Sequence, residues 1–355
     1  MASLISVNRV VFLSASALNG VGAALLWTSQ GTLLSQYSTP ENHGMLAGVF
    51  WGMLQCSLLL GSLCLFVLVP GGEDISERTA RRLYTALTVV CTAGALVLLA
   101  LPAAPPKPDG RSSGASSRAG STVDHTDVQP LMEDGEADAP RRPQVVGVRG
   151  RLLHIRDTFS LLFTSTDLQL VLVTTFYSGL LLTFMQGKYG VCVWGGWGAF
   201  EPRLVSYQLL VTGLGETIGG LSFGRLSDRL GLVPTLFLGG TAPHLLAILT
   251  VAYNFLSGWV RPSVGLAFVG AGLMGLGDAG INTLVYSVLC KLFKSETLAS
   301  HAFAVNFFVK SLGAGIAFAY SGSFRVAVQL SILLVFLVAG TVTFVVVARR
   351  ASVQA

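Results

Sequence analysis

The sequence predicts an all-α integral membrane protein, a bundle of about nine transmembrane helices with three before and six after one long polar segment. Three observations predict it. Of 355 residues, 52% are hydrophobic and only 12% are charged, about half the charge that solvates a soluble domain. The mean hydropathy is +0.66. The apolar residues also fall into long runs, each able to cross roughly 30 Å of hydrocarbon at about 1.5 Å per residue.

The runs come in order. No Lys, Arg, Asp or Glu occurs between Arg9 and Glu41, which places the first span at 10–33. The second covers 44–69 and stops before Pro70-Gly71-Gly72, and the third covers 83–103. Ala15-Ser16-Ala17 resembles a leader cleavage site, but the apolar run continues to Leu34, so a spanning helix is the better reading. Residues 104–150 are rich in Pro, Gly, Ser and mixed charge without apolar periodicity. Such a segment cannot bury enough surface to order itself, and a disordered cytoplasmic linker is expected. Residues 151–167 set Leu152, Ile155, Phe159 and Leu162 among Arg151, Arg156 and Asp157, the pattern of an amphipathic lead-in helix at the membrane surface. Six runs follow at 168–187, 204–223, 232–256, 263–290, 298–320 and 326–348, then a short cytoplasmic tail at 349–355.

The net charge of +5 fits a positive-inside bias better than nucleic-acid binding, because the cations flank apolar runs. With the linker inside, the inner side holds the linker cations with Arg225, Arg229, Lys291, Lys294, Arg349 and Arg350. The outer side holds Arg9, Arg78, Arg81, Arg82, Lys188, Arg203, Arg261 and Arg325. Cys56, Cys64, Cys91 and Cys290 lie inside apolar runs and read as packing residues; Cys192 reads as a loop thiol. Trp194 and Trp197, in the expected 188–203 loop, read as an interfacial belt.

Many secondary transporters pair two six-helix halves across a long cytoplasmic loop, each half built from two three-helix repeats. The six runs after the linker make one such half, and the three before it make part of the other. Between the fifth and sixth spans stands Gly224-Arg225-Leu226-Ser227-Asp228-Arg229-Leu230-Gly231. It resembles the cytoplasmic loop of the major facilitator superfamily. Gly224 and Gly231 permit a tight turn, and Asp228 can cap a helix N-terminus and pair with Arg225 or Arg229. A plain charged turn is the alternative.

A closer resemblance starts at Gly22-Ala23-Ala24-Leu25-Leu26-Trp27-Thr28-Ser29-Gln30-Gly31. It continues through Gly48-Val49-Phe50-Trp51-Gly52-Met53-Leu54-Gln55, Asp74-Ile75-Ser76-Glu77, Tyr177-Ser178-Gly179, Gly213 to Gly220 and Leu276-Gly277-Asp278 with Asn282-Thr283. Together these are similar to the unc-93 family of the major facilitator superfamily. The branch called major facilitator superfamily domain-containing protein eleven is the closest in pattern. The resemblance aligns the first span with the family's fourth helix, so the chain reads as N-terminally truncated relative to the family.

A charge at the bilayer centre costs about 2.5–3.5 kcal/mol on the insertion scale, so ionisable residues inside runs face the bundle interior or a partner. Glu216 has Gly215, Gly219 and Gly220 beside it, which suits a close helix interface. Asp278 and Asn282 share one helical face with Gly275. Lys310 can pair with Asp278 or Glu216. Each carboxylate reads either as a pathway or coupling group or as a structural one. His244 reads as a structural residue, and His301, near the end of its run, as one that snorkels or packs. Trp27, Thr28 and Gln30 form a polar-aromatic cluster that either lines a cavity, as the resemblance implies for this helix, or packs an interface. Asp127, Leu131 and Met132 in the linker resemble an acidic dileucine sorting signal.

Three functional readings follow. The chain is a secondary transporter of small solutes, with or without proton coupling; or a non-transporting partner of a channel or receptor, as the resemblance implies for some relatives; or a truncated form with little activity. No nucleotide loop, metal cluster or nucleophile–base spacing is evident, so neither an enzyme nor a cofactor is expected. The partners expected are the lipid bilayer, a small-molecule solute and a membrane protein, with no nucleic acid. The membrane is either the plasma membrane or an endolysosomal one.

Overall fold

A computed structural model of the chain describes residues 8–39, 41–68, 77–100, 148–195, 202–258 and 262–354. All regular structure among them is helical. Helix α1 (Arg9–Tyr37) starts at Asn8, whose side-chain oxygen accepts from the amides of Val10 at 3.0 Å and Val11 at 3.3 Å. Two further helices, α2 (His43–Leu68) and α3 (Glu77–Ala100), complete the first part. The lead-in is α4 (Val148–Thr164). Ser165 then caps α5 (Thr166–Thr183), its hydroxyl accepting from the Leu168 amide at 3.3 Å. A π turn over Phe184–Lys188 carries this rod into α6 (Tyr189–Gly195). Next come α7 (Pro202–Leu230), α8 (Leu232–Leu236), a second π turn over Phe237–Thr241 and α9 (Ala242–Leu256), the last three forming one rod. The chain ends with α10 (Val264–Leu292), α11 (Glu296–Ser321) and α12 (Val326–Gln354).

Eight of these rods are long and apolar enough to cross a membrane. The sequence suggested nine. The difference is α7, which has the length at 29 residues but carries Glu216, Arg225, Asp228 and Arg229. It can be this polar because it is sandwiched between α2 and α10 and meets protein on two sides. Helix α5 likewise sits inside the bundle, against α11 and α12, and most of its side chains are buried. In contrast α1 and α3 leave long apolar faces exposed, including Leu18, Val21, Leu25, Val89, Val97 and Leu99. In a bilayer those faces meet lipid, which solvates them as well as a core would.

Two local expectations change. The fourth span does not end at residue 187: it continues helically past Lys188, so Cys192 sits on α6 and not in a loop. The π turn absorbs the extra residue without breaking the backbone hydrogen bonding. Of the four cysteines read as packing residues, Cys290 is buried, whereas Cys56, Cys64 and Cys91 are on exposed helix faces. Trp197, most of the linker 104–150, and with it Asp127, Leu131 and Met132, lie outside the described residues.

Contacts distant in sequence gather several helix ends at one end of the bundle. Arg350 Nη1 reaches Asp167 Oδ1 at 2.8 Å, joining the end of α12 to the start of α5. Thr158 of α4 hydrogen-bonds the His301 ring near the start of α11, so His301 packs against the lead-in helix as expected of it. The end of α7 meets the start of α2. Arg225, Arg229 and Arg350 therefore share one end, as the alternation of spans requires.

Candidate functional site

The polar residues of α10 lie at its centre. Asp278 is fourteen residues from either end of that helix, and Glu216 is fourteen from either end of α7. Both carboxylates thus sit about 21 Å from the helix ends at about 1.5 Å per residue, near the bilayer midplane. Asp278 is 1% exposed and Glu216 is 2% exposed.

Glycines bring these helices together. A Cβ on Gly215 would fall on the carbonyl of Gly272, and one on Gly275 would fall on the carbonyl of Thr212. Helices α7 and α10 therefore touch backbone to backbone in the turn that leads to Glu216, and beyond it a Cβ on Gly219 would lie 3.0 Å from the Leu276 carbonyl. This matches the interface placement expected for Glu216.

Around Asp278 the hydrogen bonds form a chain. Asn282, one turn on, donates from Nδ2 to the Asp278 carbonyl at 2.8 Å. Ser178 of α5 lies with its hydroxyl 3.4 Å from Asp278 Oδ1 and 3.3 Å from Asn282 Oδ1. Lys310 of α11 donates from Nζ to Asn282 Oδ1 at 2.7 Å. The expected pairing of Lys310 with a carboxylate is thus replaced: among the described residues no ion pair joins it to Asp278 or Glu216. Asn282 stands between them as a neutral bridge. The two carboxylates and the ammonium remain within electrostatic reach of one another. Glu216 Oε2 is buried with no hydrogen-bond partner in the protein.

Above this group lies an aromatic cluster contributed by both parts of the chain. The Lys310 ammonium sits over the Trp51 ring at 4.8 Å, a cation–π contact. Trp51 meets Tyr286 edge-on at 5.9 Å, and Phe50 stacks on Tyr286 at 6.1 Å. Trp27 stacks on Phe307 at 5.3 Å. Trp27 therefore joins the site by its ring. Thr28 serves Thr32 through its backbone carbonyl, and Gln30 holds a buried Oε1 without a partner in the protein; neither joins Trp27 in a common polar cluster. Ser178, Trp51, Tyr286 and Phe307 were not expected at the site from residue chemistry, because a serine or an aromatic inside an apolar run carries no signal of its own.

His244 is buried, its Nε2 3.2 Å from the Met274 carbonyl and its ring against Tyr177 at 5.4 Å. That is the structural role expected of it.

The charged stretch expected as a loop is helical to Leu230 and forms the last turns of α7, with only Gly231 beyond it; it ties the two parts together. Asp228 Oδ1 accepts from the Gly44 amide at 2.9 Å, and Oδ2 from the Met45 amide at 2.7 Å. It thereby satisfies two otherwise unpaired donors at the N-terminus of α2. The cap was expected, but on this neighbour only the structure could place it. No arginine pairs with Asp228 among the described residues; Arg225 turns back to the Leu221 carbonyl at 3.1 Å, and Arg229 is exposed. Gly231 has φ 87°, the left-handed region that glycine enters without strain, and turns the chain into α8. Replacing Asp228 with Ala leaves both α2 amides unmet. Hydrogen bonds to a charged group contribute about 1.5–3 kcal/mol each, less where half-exposed. A fall of several degrees in the melting temperature of the purified protein is expected, with Arg225→Ala as a nearly neutral comparison.

Comparison with known proteins places the chain among relatives. The model of the family described as "Ion channel regulatory protein UNC-93" matches residues 1–345. The chain is 31% identical over 350 residues to UNC93-like protein MFSD11 of Xenopus tropicalis, covering 94% of this chain and 74% of the relative. It is 32% identical over 351 residues to the protein of that name from Xenopus laevis, with the same coverage. At 24% identity over 309 residues it is similar to UNC93-like protein 3 of Arabidopsis thaliana, covering 81% of this chain and 58% of the relative.

Proposed function

The chain belongs to the UNC-93 family, and on that footing we propose that it is a proton-coupled secondary carrier of small solutes. One observation carries the reading: Glu216 and Asp278, both buried at the midpoints of adjacent helices, share electrostatic reach with Lys310 where the two parts of the chain meet. Charges at this depth are costly and rarely idle. With all three groups ionised the site carries one net negative charge; a single bound proton neutralises it. Proton binding and release therefore alter the site's charge, and the site lies between two units that can rock about it. The end of the bundle that carries Asp228, Arg225 and Arg229 is then the cytoplasmic end, and the Asp228 cap on α2 is a latch that holds that end closed.

Purified protein in liposomes tests this. With an acidic exterior, uptake from a panel of labelled small solutes is expected to exceed that of protein-free liposomes and to collapse when a protonophore is added. Equal uptake with and without protein for the whole panel sinks the carrier reading.

A second reading draws on the family's description as ion-channel regulatory and on α3, which among the described residues packs chiefly against α2 and leaves most of its length exposed. On that reading the chain is a membrane subunit for another protein, and the free face of α3 is its contact. Proximity labelling from the α3 end is expected to recover one membrane protein repeatedly; recovery of bulk membrane proteins alone counts against it.

A further inference from the structure

We infer that the solute is a small organic anion with a flat apolar body, held by Lys310 against the aromatic rings shared between the two parts of the chain. The inference rests on the carrier reading for its setting, and on different observations for its chemistry.

The first observation is the state of Lys310. An ammonium has three N–H groups. One is used on Asn282 Oδ1, and the charge is faced by the Trp51 ring. Neither partner is an anion. The two carboxylates nearby act on the ammonium through space and do not contact it. The Lys310 ammonium lies where the two parts of the chain meet, on Asn282 of the second part and over Trp51 of the first.

The second observation is the kind of polar atom left without a partner beside it. Trp51 is 5% exposed, and its Nε1 has no hydrogen-bond partner in the protein. Tyr286 is 1% exposed, and its hydroxyl also has none. An indole N–H only donates, and a phenol donates readily. Trp51 adjoins both Lys310 and Tyr286, so three donors gather around one indole ring, and two of them lack an acceptor in the protein. A carboxylate or similar oxyanion supplies several. A cationic solute would meet the Lys310 ammonium and leave both donors unmet, and once the site has taken up its proton no net negative charge remains to offset that.

The third observation is shape. Trp27 and Phe307 stack at an interplanar angle of 26°, and Phe50 and Tyr286 at 24°. Trp27 and Phe50 come from the first part of the chain, Phe307 and Tyr286 from the second. Trp27, Phe50 and Phe307 are only half-buried. A planar ring can take the place of one member of either pair while the anion meets Lys310.

Phenylacetate, phenylacetamide and phenethylamine test the idea, because they differ only in whether the head group is anionic, neutral or cationic. Trp27 and Trp51 report occupancy by their fluorescence in the purified full chain in detergent. Phenylacetate is expected to change it saturably, with at least about tenfold preference over the other two. Lys310→Gln is expected to erase that preference and Lys310→Arg to retain most of it. Equal binding of the amide or the amine overturns the inference, as does an unchanged preference in Lys310→Gln, or no binding of any of the three. Should Lys310→Gln not fold, the preference of the wild-type protein and of Lys310→Arg decides alone. The measurement needs no gradient. Phenylacetate binding without proton-driven uptake therefore sinks the carrier reading only, and proton-driven uptake of a cation without phenylacetate binding sinks the inference only.

Discussion

Liposomes containing the Asp278→Asn protein are expected to lose proton-driven accumulation down to the level of protein-free liposomes, while still exchanging solute between their two sides. The substitution keeps the shape of the side chain. Ser178 can still approach the amide oxygen as it does Asp278 Oδ1, and the Asn282 bond to the residue 278 carbonyl does not involve the side chain at all. What is lost is the capacity to take up and release a proton, since an amide does neither in the working pH range. Coupling then has one carboxylate, Glu216, where it had two. Exchange needs only that the solute site reorient, so it survives. A purely structural carboxylate behaves differently: its loss would lower yield and melting temperature and depress both activities together. Measuring accumulation, exchange and thermal stability on one preparation separates the two roles. Glu216→Gln is expected to follow Asp278→Asn, with a smaller cost in hydrogen bonding because Glu216 Oε2 already has no partner in the protein.

Much of this arrangement was legible in the sequence, and the reason is the solvent. In hydrocarbon, every backbone polar group must bond internally, so uninterrupted apolar runs become helices and their ends fall near the first charges. The boundaries of α1, α2 and α10 are therefore close to those expected. Glu216 and Asp278 stood out because a carboxylate inside an apolar run has few cheap solutions. The fate of Lys310 was not legible. Opposite charges suggested a direct pair, but geometry gave the ammonium to Asn282 and Trp51, a choice that depends on how α11 is rotated against α10. Helix rotation is set by packing, and the apolar pattern of a lipid-facing helix barely encodes it. The same limit hid Trp51, Tyr286 and Phe307. In α7 the sequence did encode the neighbours, indirectly: its charge made it too polar for a lone span, and its glycines marked the faces on which protein covers it.

Those glycines lead to the other large effect. Valine at Gly48 or Gly220 is expected to separate α2 from α7 and to cost the protein most of its stability in detergent, whereas valine at Gly61 on the same helix α2 is expected to be neutral. A Cβ at Gly48 would lie 2.8 Å from Gly224 Cα and 3.1 Å from Gly224 N. One at Gly220 would lie 2.7 Å from Gly52 N and 2.9 Å from Gly48 O. In both cases the obstacle is backbone, which cannot rotate aside as a side chain can, so the helices must move apart. Overpacking a core costs typically 1–3 kcal/mol and occasionally more; two rigid helices with valine's further methyls between them belong at the upper end. A Cβ at Gly61 meets nothing within 4 Å, and valine there faces lipid or open space. The comparison holds residue type, helix and apolar character constant and varies only what lies opposite. Separation at Gly48 also draws the α2 N-terminus away from Asp228, so the latch and the interface are lost together. In a thermal melt, Gly48→Val and Gly220→Val are expected to unfold at least about 5 °C below the wild type and Gly61→Val within about a degree of it. Equal melting of Gly48→Val and Gly61→Val would mean that α2 and α7 do not meet along this face, and the site built between the two parts of the chain would lose its frame.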